Sequence, residues 1–125
     1  MNLIKGLILV LCLSAFGASP LEQSIIDATN ANRQKYGLQP LELDNSLMET
    51  ASNHCAWMTR NGLIHTRLPV AENIAWGQSS VSEVMNSWMN SSGHRANILG
   101  RRYNRIGVAA YRDGRGRIFW CQQFK

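Results

Sequence analysis

The chain has 125 residues, 45% of them hydrophobic, with 13 Lys and Arg against 8 Asp and Glu, a formal net charge of +5. That length suits one domain, large enough to bury about two thirds of its unfolded surface without metals or many disulfides. The charge is uneven: residues 1–94 carry five Lys/Arg and seven Asp/Glu, residues 95–125 carry eight Lys/Arg and Asp113 alone, which favours anionic partners, while the absence of any recognition-helix or base-stacking motif argues against nucleic acid.

The N-terminus opens with Lys5, an apolar run from Leu7 to Leu13, and small residues Ser14, Ala15, Gly17, Ala18 and Ser19 before Pro20. This is the pattern of a secretory signal peptide cleaved near Gly17 to Ser19, so residues 1–19 are expected to be leader and 20–125 the domain. The run is too short to span a bilayer, and no transmembrane helix is expected in the mature chain. Cys12 follows Leu11 inside the apolar run, which favours leader over a lipid-attachment site, the alternative reading. Cleavage leaves Cys55 and Cys121, and an oxidising destination makes one disulfide the simple expectation, worth about 4 kcal/mol in the chain-entropy model. The alternative is a pair of buried free thiols.

From Leu21 to Tyr36, apolar residues at 21, 25, 28 and 31 predict a helix ended by Gly37. Pro40 and an extended LELD lead to Asp44, a good N-cap for a helix reaching about Asn61, with Leu47, Ala51, His54 and Met58 on one face and Gly62 as its stop. His54 on that stripe reads as a core or helix-interface residue. Ser80 and Glu83 form a capping box for a third helix, Val81 to about Asn90, burying Val84, Met85, Trp88 and Met89, and this accounts for Glu83 without a catalytic role. A short helix near His94 to Leu99 follows, with His94 in its first turn. Ile106, Val108 and Ala110, a turn at Asp113 to Gly116, then Ile118, Trp120, Gln122 and Phe124 predict a hairpin with one buried face. The ENIAWG segment supplies a third strand, and the local reading is α+β without repeats.

His65, His94 and Glu72 carry the candidate chemistry. Imidazole is both a zinc ligand and a proton acceptor near neutral pH, so two histidines with a carboxylate suit metal binding or general-base work. Their spacing differs from that of an H-E-x-x-H helix, so the sequence alone does not place both on one face.

The strings AENIAWG (71–77), SWMNSSGHRANIL (87–99), RYNRIGVAA (102–110) and FWCQQF (119–124), with ATNANRQKYGLQPLELD (28–44) upstream, resemble the CAP superfamily, the SCP-like extracellular domain of cysteine-rich secretory proteins, antigen 5 and pathogenesis-related proteins. The compact spacing is similar to bacterial secreted members. The resemblance implies a three-layer α-β-α sandwich around a small antiparallel sheet, and a cleft lined by two histidines and two glutamates in which the histidines can bind zinc. His65, Glu72 and His94 match three of these positions. The second glutamate falls on Ser91, so a zinc ion on His65 and His94 would complete its shell with water, be held weakly, and leave in acid.

Three functions are consistent with this reading. The first is a secreted, extracellular or periplasmic binding module for a lipid, an anionic glycan or a cell-surface partner. The second is a metal-assisted hydrolase of peptide or cell-wall polymer, with Glu72 as base and Arg95 as a candidate anion stabiliser. The third is an inert extracellular scaffold. Arg95, Arg101, Arg102 and Arg105, with Arg112, Arg115 and Arg117 beyond them, form a candidate patch for anionic headgroups or acidic glycans, the alternative being solvated strand and loop residues. Asn90-Ser91-Ser92 is a formal glycosylation sequon, of use only in a eukaryotic host.

Overall fold

Ser19 opens the first helix by accepting the Glu22 N–H at 3.3 Å, with Pro20 at the first helical position, where its missing N–H costs nothing. In the computed structural model this helix, α1, runs Pro20–Lys35, and the structure describes residues 17–125. The apolar run of the expected leader and Cys12 lie outside the described residues. α1 ends at Tyr36, and Gly37 takes a φ of +69°, the left-handed geometry that glycine tolerates.

The remaining elements are β1 (Glu42–Leu43), α2 (Asn45–Asn61), β2 (Ala71–Trp76), α3 (Val81–Met89), α4 (Ser92–Ile98), β3 (Arg105–Arg112) and β4 (Ile118–Phe124). The sheet order is β1-β3-β4-β2; β4 pairs antiparallel with both β3 and β2, and β1 adds a two-residue parallel edge to β3. The sheet is therefore antiparallel apart from that short edge.

Helices cover both sheet faces. On one, α2 packs Ala51, Cys55 and Met58 on Ile74, Ala109, Phe119 and Cys121. On the other, α1, α3 and α4 bury Ile25, Ile26, Val84, Met85, Trp88 and Ile98 against Ile106, Val108, Trp120 and Phe124. This is the α-β-α sandwich, and it changes one expectation: every residue of β4 is buried, so the hairpin has two covered faces rather than one. Gly107 on β3 permits the close approach of α2, since a Cβ there would run into the Leu47 backbone.

Two helical faces also differ from the expected stripes. α1 buries Ile25, Ile26, Thr29 and Arg33, while Leu21 is exposed. The phase is set by Arg33, whose guanidinium donates to the carbonyls of Gln39 (2.8 Å), Ile98 (2.9 Å), Gly100 (2.8 Å) and Tyr103 (3.3 Å). An arginine can be buried when its donors are met, and here carbonyls at the end of α4 do so without a carboxylate. On α2 the buried face is Leu47, Ala51, Cys55 and Met58, with His54 at its margin. The disulfide expected between Cys55 and Cys121 is not formed in this structure: both are free, buried thiols within one cluster.

α3 is capped much as expected. Ser80 Oγ accepts the Glu83 N–H at 3.1 Å, and the Glu83 carboxylate takes the N–H of Ser79 at 3.0 Å. Among the described residues no helix is long and apolar enough to cross a membrane.

Candidate functional site

Because successive residues of a strand point to opposite faces, Glu72 on β2 looks toward α2 and Asn73 toward α4. The Glu72 side chain is 3% exposed and its oxygens are fully engaged. Oε1 accepts from His65 Nδ1 at 2.8 Å and from the Thr66 N–H at 2.9 Å. Oε2 accepts from Gln123 Nε2 at 2.9 Å and lies 3.5 Å from Cys121 Sγ. Gln123 is itself held by Thr50, whose hydroxyl donates to its Oε1 at 2.6 Å.

With Nδ1 donating to Glu72, His65 presents Nε2 outward from a ring whose side chain is 59% exposed. His65 lies in the irregular segment between α2 and β2. That segment is pinned at a second point by His54, whose Nε2 sits 2.7 Å from the Ile64 carbonyl and 3.9 Å from Glu72 Oε1. His54 is thus a helix-to-segment fastener, and its ring stacks on Trp57 at 5.6 Å.

His94 occupies the first turn of α4, as expected, and its carbonyl accepts from Asn73 Nδ2 at 3.0 Å. Behind it runs a chain of buried amides. Asn73 also donates to Gln122 Oε1 at 3.1 Å, Gln122 donates to Thr29 Oγ1 at 2.7 Å, and Asn97 donates to Asn73 Oδ1 at 2.9 Å. Burial, and then the nearby His65, hold the His94 pKa below its ordinary 6.5, so this imidazole is neutral at physiological pH.

Ser91, at the position of the second glutamate, is the N-cap of α4 and makes no side-chain capping bond. Glu83 is committed to Ser79. Among the described residues no group of three or more His, Cys, Asp or Glu is arranged to enclose a metal. What is present is a pair of histidines, one oriented through its Nδ1 and one neutral by burial. This donor set suits a borderline divalent ion that keeps water in its remaining positions.

Beside His65 lies a groove of about 700 Å³ between α2 and residues 64–68. Trp57, Ile64 and Leu68 supply apolar walls and are 44%, 52% and 45% exposed; Asn53, His65 and Arg67 supply polar ones. The first four arginines of the expected anionic patch have different fates. Arg105 is paired with Glu42 at 2.9 Å and Asp44 at 3.3 Å, and Arg95 donates to Tyr36 Oη at 2.6 Å and covers its ring. Arg102 stacks on Tyr103, while Arg101 is exposed and makes no ion pair among the described residues. Arg105 therefore adds no free charge to a shared patch.

Sequence reasoning missed Arg33, Asn73 and Gln123, and placed Gln122 on the buried face without giving it a partner. Polar residues inside strands that are mostly apolar were the available signal for Asn73 on β2 and for Gln122 and Gln123 on β4.

The chain matches the CAP family, the cysteine-rich secretory protein family, over residues 26–124. It belongs to that family. It is 35% identical over 124 residues to YkwD of Bacillus subtilis (strain 168), a match covering 85% of this chain and 47% of that protein. The chain spans about half the length, or less, of the curated relatives it matches first. Among solved structures it is similar to an extracellular protein containing a SCP domain from Bacillus anthracis str. Ames, with a TM-score of 0.73 and 25% identity, covering 86% of this chain and 44% of that one. It also shares its fold with NaASP2 solved with Zn2+, with a TM-score of 0.71 and 11% identity over 90% of this chain and 83% of that one.

Proposed function

We propose that this CAP domain is an extracellular binding module whose cleft combines a two-histidine zinc site with an apolar groove for a lipid or glycan ligand. The observation that carries the choice of binding over hydrolysis is the state of Glu72. A general base needs a free oxygen within reach of the proton it removes, whereas both Glu72 oxygens are already engaged by donors on the protein. Its position is that of a carboxylate orienting a metal-binding histidine, which fixes the tautomer and raises ligand basicity.

His65, through Nε2, and His94 would hold the ion, and a bound zinc ion would supply a Lewis-acidic position open to a ligand oxygen. The Zn2+ in NaASP2, a protein of the same fold, supports this reading. The groove shapes the ligand. Its walls of Trp57, Ile64 and Leu68 suit an acyl chain or the apolar face of a sugar ring, and Arg67 suits a carboxylate or phosphate at its end. Arg101 and Arg102 favour an anionic surface nearby. The leader-like N-terminus, the family's secretory membership and the extracellular Bacillus anthracis neighbour support export from the cytoplasm.

The test is zinc titration by calorimetry on the wild-type protein and the His65→Ala/His94→Ala double variant at neutral pH and near pH 5, with a fluorescent fatty acid titrated in parallel into wild type and Trp57→Ala. Saturable zinc binding that is lost in the double variant and weakened in acid supports the metal site. Fatty-acid binding that falls in Trp57→Ala supports the groove. Hydrolysis of peptide or cell-wall polymer that Glu72→Gln abolishes, with the fold intact, would overturn the binding assignment in favour of an enzyme.

A further inference from the structure

Four exposed large apolar side chains, Trp57, Leu63, Ile64 and Leu68, lie on the end of α2 and the irregular segment that follows it. Single exposed apolar residues are ordinary, but a cluster on one segment marks an interaction surface. Elsewhere the exposed aromatic side chains already have partners: Tyr36 lies under Arg95, Trp76 under Arg117, and the Tyr111 hydroxyl bonds Ser52 at 2.7 Å. Trp57, Ile64 and Leu68 wall the groove beside His65, whereas Leu63 stands outside it. The segment is fastened at its base, by His54 to the Ile64 carbonyl and by the Thr66 N–H to Glu72, so these side chains are presented from an anchored backbone.

The charge around the segment has one sign. From Thr50 to Ala71 the chain carries Arg60 and Arg67 and no Asp or Glu. Asn53, Trp57 and Arg60 recur at helical spacing and share a face of α2, and Arg67 lines the groove itself. Both arginines are exposed, and neither makes an ion pair among the described residues. On the far side of the segment, Pro69 and Val70 share a hollow with Arg102, which adjoins the exposed Arg101. Glu72 offers no compensating charge at the surface, being buried and engaged through both oxygens.

We propose that the end of α2 and the segment through Leu68 form a docking surface for an anionic lipid bilayer. Leu63, Ile64 and Leu68 enter the acyl boundary, Trp57 sits at the interface, and Arg60, Arg67, Arg101 and Arg102 meet acidic headgroups. Such binding grows with the apolar area removed from water and with each cation brought near the surface. The charge chooses the occupant. A second copy would bring arginine against arginine across a two-fold axis, and four half-exposed side chains fall short of the roughly 800 Å² per partner that a stable dimer buries. An acidic glycan would satisfy the arginines and leave the aliphatic side chains in water. The surface names the partner of the binding face described above, rests on that reading of the face, and turns the groove mouth and the outward His65 ring toward the headgroups.

The experiment measures partition of the full chain onto vesicles of phosphatidylcholine alone, and of phosphatidylcholine and phosphatidylglycerol in equal parts, at low and physiological salt. Brominated lipid in a second set quenches tryptophan that reaches the acyl boundary. Wild type is compared with Leu63→Asp, Arg60→Gln/Arg67→Gln and Trp57→Phe, with circular dichroism confirming each fold; the apolar N-terminal run is common to all, so their differences read this surface. Partition onto the acidic vesicles should exceed that onto neutral ones by about tenfold or more and decline with salt. It should fall about tenfold in Leu63→Asp and about fivefold for each arginine removed, and quenching should shrink in Trp57→Phe. Wild-type partition in Leu63→Asp, or quenching unchanged in Trp57→Phe, would overturn the docking surface. Vesicle binding that Leu63→Asp leaves intact and dextran sulfate abolishes would overturn it in favour of an acidic glycan, and a dimer in light scattering that Leu63→Asp splits would overturn it in favour of a second copy. Because Leu63 lies outside the groove, Leu63→Asp should still bind fluorescent fatty acid. A wild-type protein that binds the fatty acid but no acidic vesicle overturns the docking surface alone, and one that binds the vesicles but no fatty acid overturns only the groove as a site for a single lipid.

Discussion

Glu72 and Asn73 are neighbours on β2 that hold the two histidine-bearing segments from opposite faces of the sheet. Glu72 accepts from His65 Nδ1 on the α2 side, and Asn73 donates to the His94 carbonyl on the α4 side. Neighbouring residues of an edge strand thus anchor the His65 ring and the backbone of the segment that carries His94. Each histidine is placed by a residue whose side chain is almost wholly buried.

Glu72→Gln is the sharpest test of that arrangement. The amide keeps the volume but replaces one acceptor oxygen by a donor that must face Thr66 N–H and His65, or Gln123. We expect zinc affinity to fall about 10- to 100-fold, as for loss of an outer-shell carboxylate, with a stability loss of about 1–3 kcal/mol. Calorimetry and urea unfolding on the same samples measure the two effects, and unchanged zinc affinity would remove Glu72 from the site.

Asn73→Leu addresses the other side. Leucine fits an apolar interior but strands the Gln122 and Asn97 amides and releases the His94 carbonyl. The expected cost is about 2 kcal/mol or more from buried groups left without partners, together with weaker zinc binding. Wild-type affinity in a folded Asn73→Leu protein would show that α4 positions His94 unaided.

Arg33→Met should be among the most damaging single changes outside the cleft. It leaves four carbonyls without their donor, for an expected loss of about 3 kcal/mol or more. Lysine should not rescue it, because an ammonium lacks the planar fork that reaches several acceptors at once. Denaturant midpoints of Arg33→Met and Arg33→Lys within a few tenths of a molar of wild type would contradict this.

Gly107→Ala should destabilise by about 1–3 kcal/mol, because the added methyl meets the Leu47 backbone rather than a yielding side chain. The effect belongs to the stability of the α2 face, so zinc affinity per folded molecule should hold. Thermal unfolding and calorimetry together separate the two.

Acid sensitivity should trace to Asp44. The Leu47 N–H, and after it Arg105 and Lys125, hold this carboxyl below its ordinary 3.8, although burial pushes the other way. A carboxyl whose pKa is lower folded than unfolded contributes stability above about pH 4, which is lost as pH falls through the folded value. Wild-type stability should therefore drop below about pH 4 more steeply than that of Asp44→Asn, which will be less stable at neutral pH. Parallel pH profiles would contradict the assignment.

The helices were legible in the sequence because their ends carry their own chemistry. Asp44 and Ser80 each cap the helix that follows, and Gly37 and Gly62 take the positive φ that stops α1 and α2; Ser19, read in the sequence as the end of the leader, is the N-cap of α1 in the structure. The motif around His65, Glu72 and His94 was legible as well, since its order along the chain survives without coordinates. The burial phase of α1 was not, because Leu21 and Ala28 are apolar enough to define a stripe until Arg33 finds its carbonyls. Nor was the two-sided burial of β4. Gln122 falls on the face expected to be buried, whereas Gln123 reads as exposed; both are interior, each with a distant partner, Thr29 and Glu72.

The sequence by itself determined which segments are helix and strand, where they stop, and that the chain is a CAP domain carrying two histidines and a single matching carboxylate, since these depend on local propensity, capping and ordered motifs. Only the tertiary structure decided what those residues touch. It turned Glu72 from a candidate base into a buried acceptor engaged through both oxygens, tied Arg105 to Glu42 and Asp44, and brought Cys121 against Glu72. The physical reason is that the function of a polar group is set by which of its lone pairs and protons are already taken, and those partners lie far away in the chain.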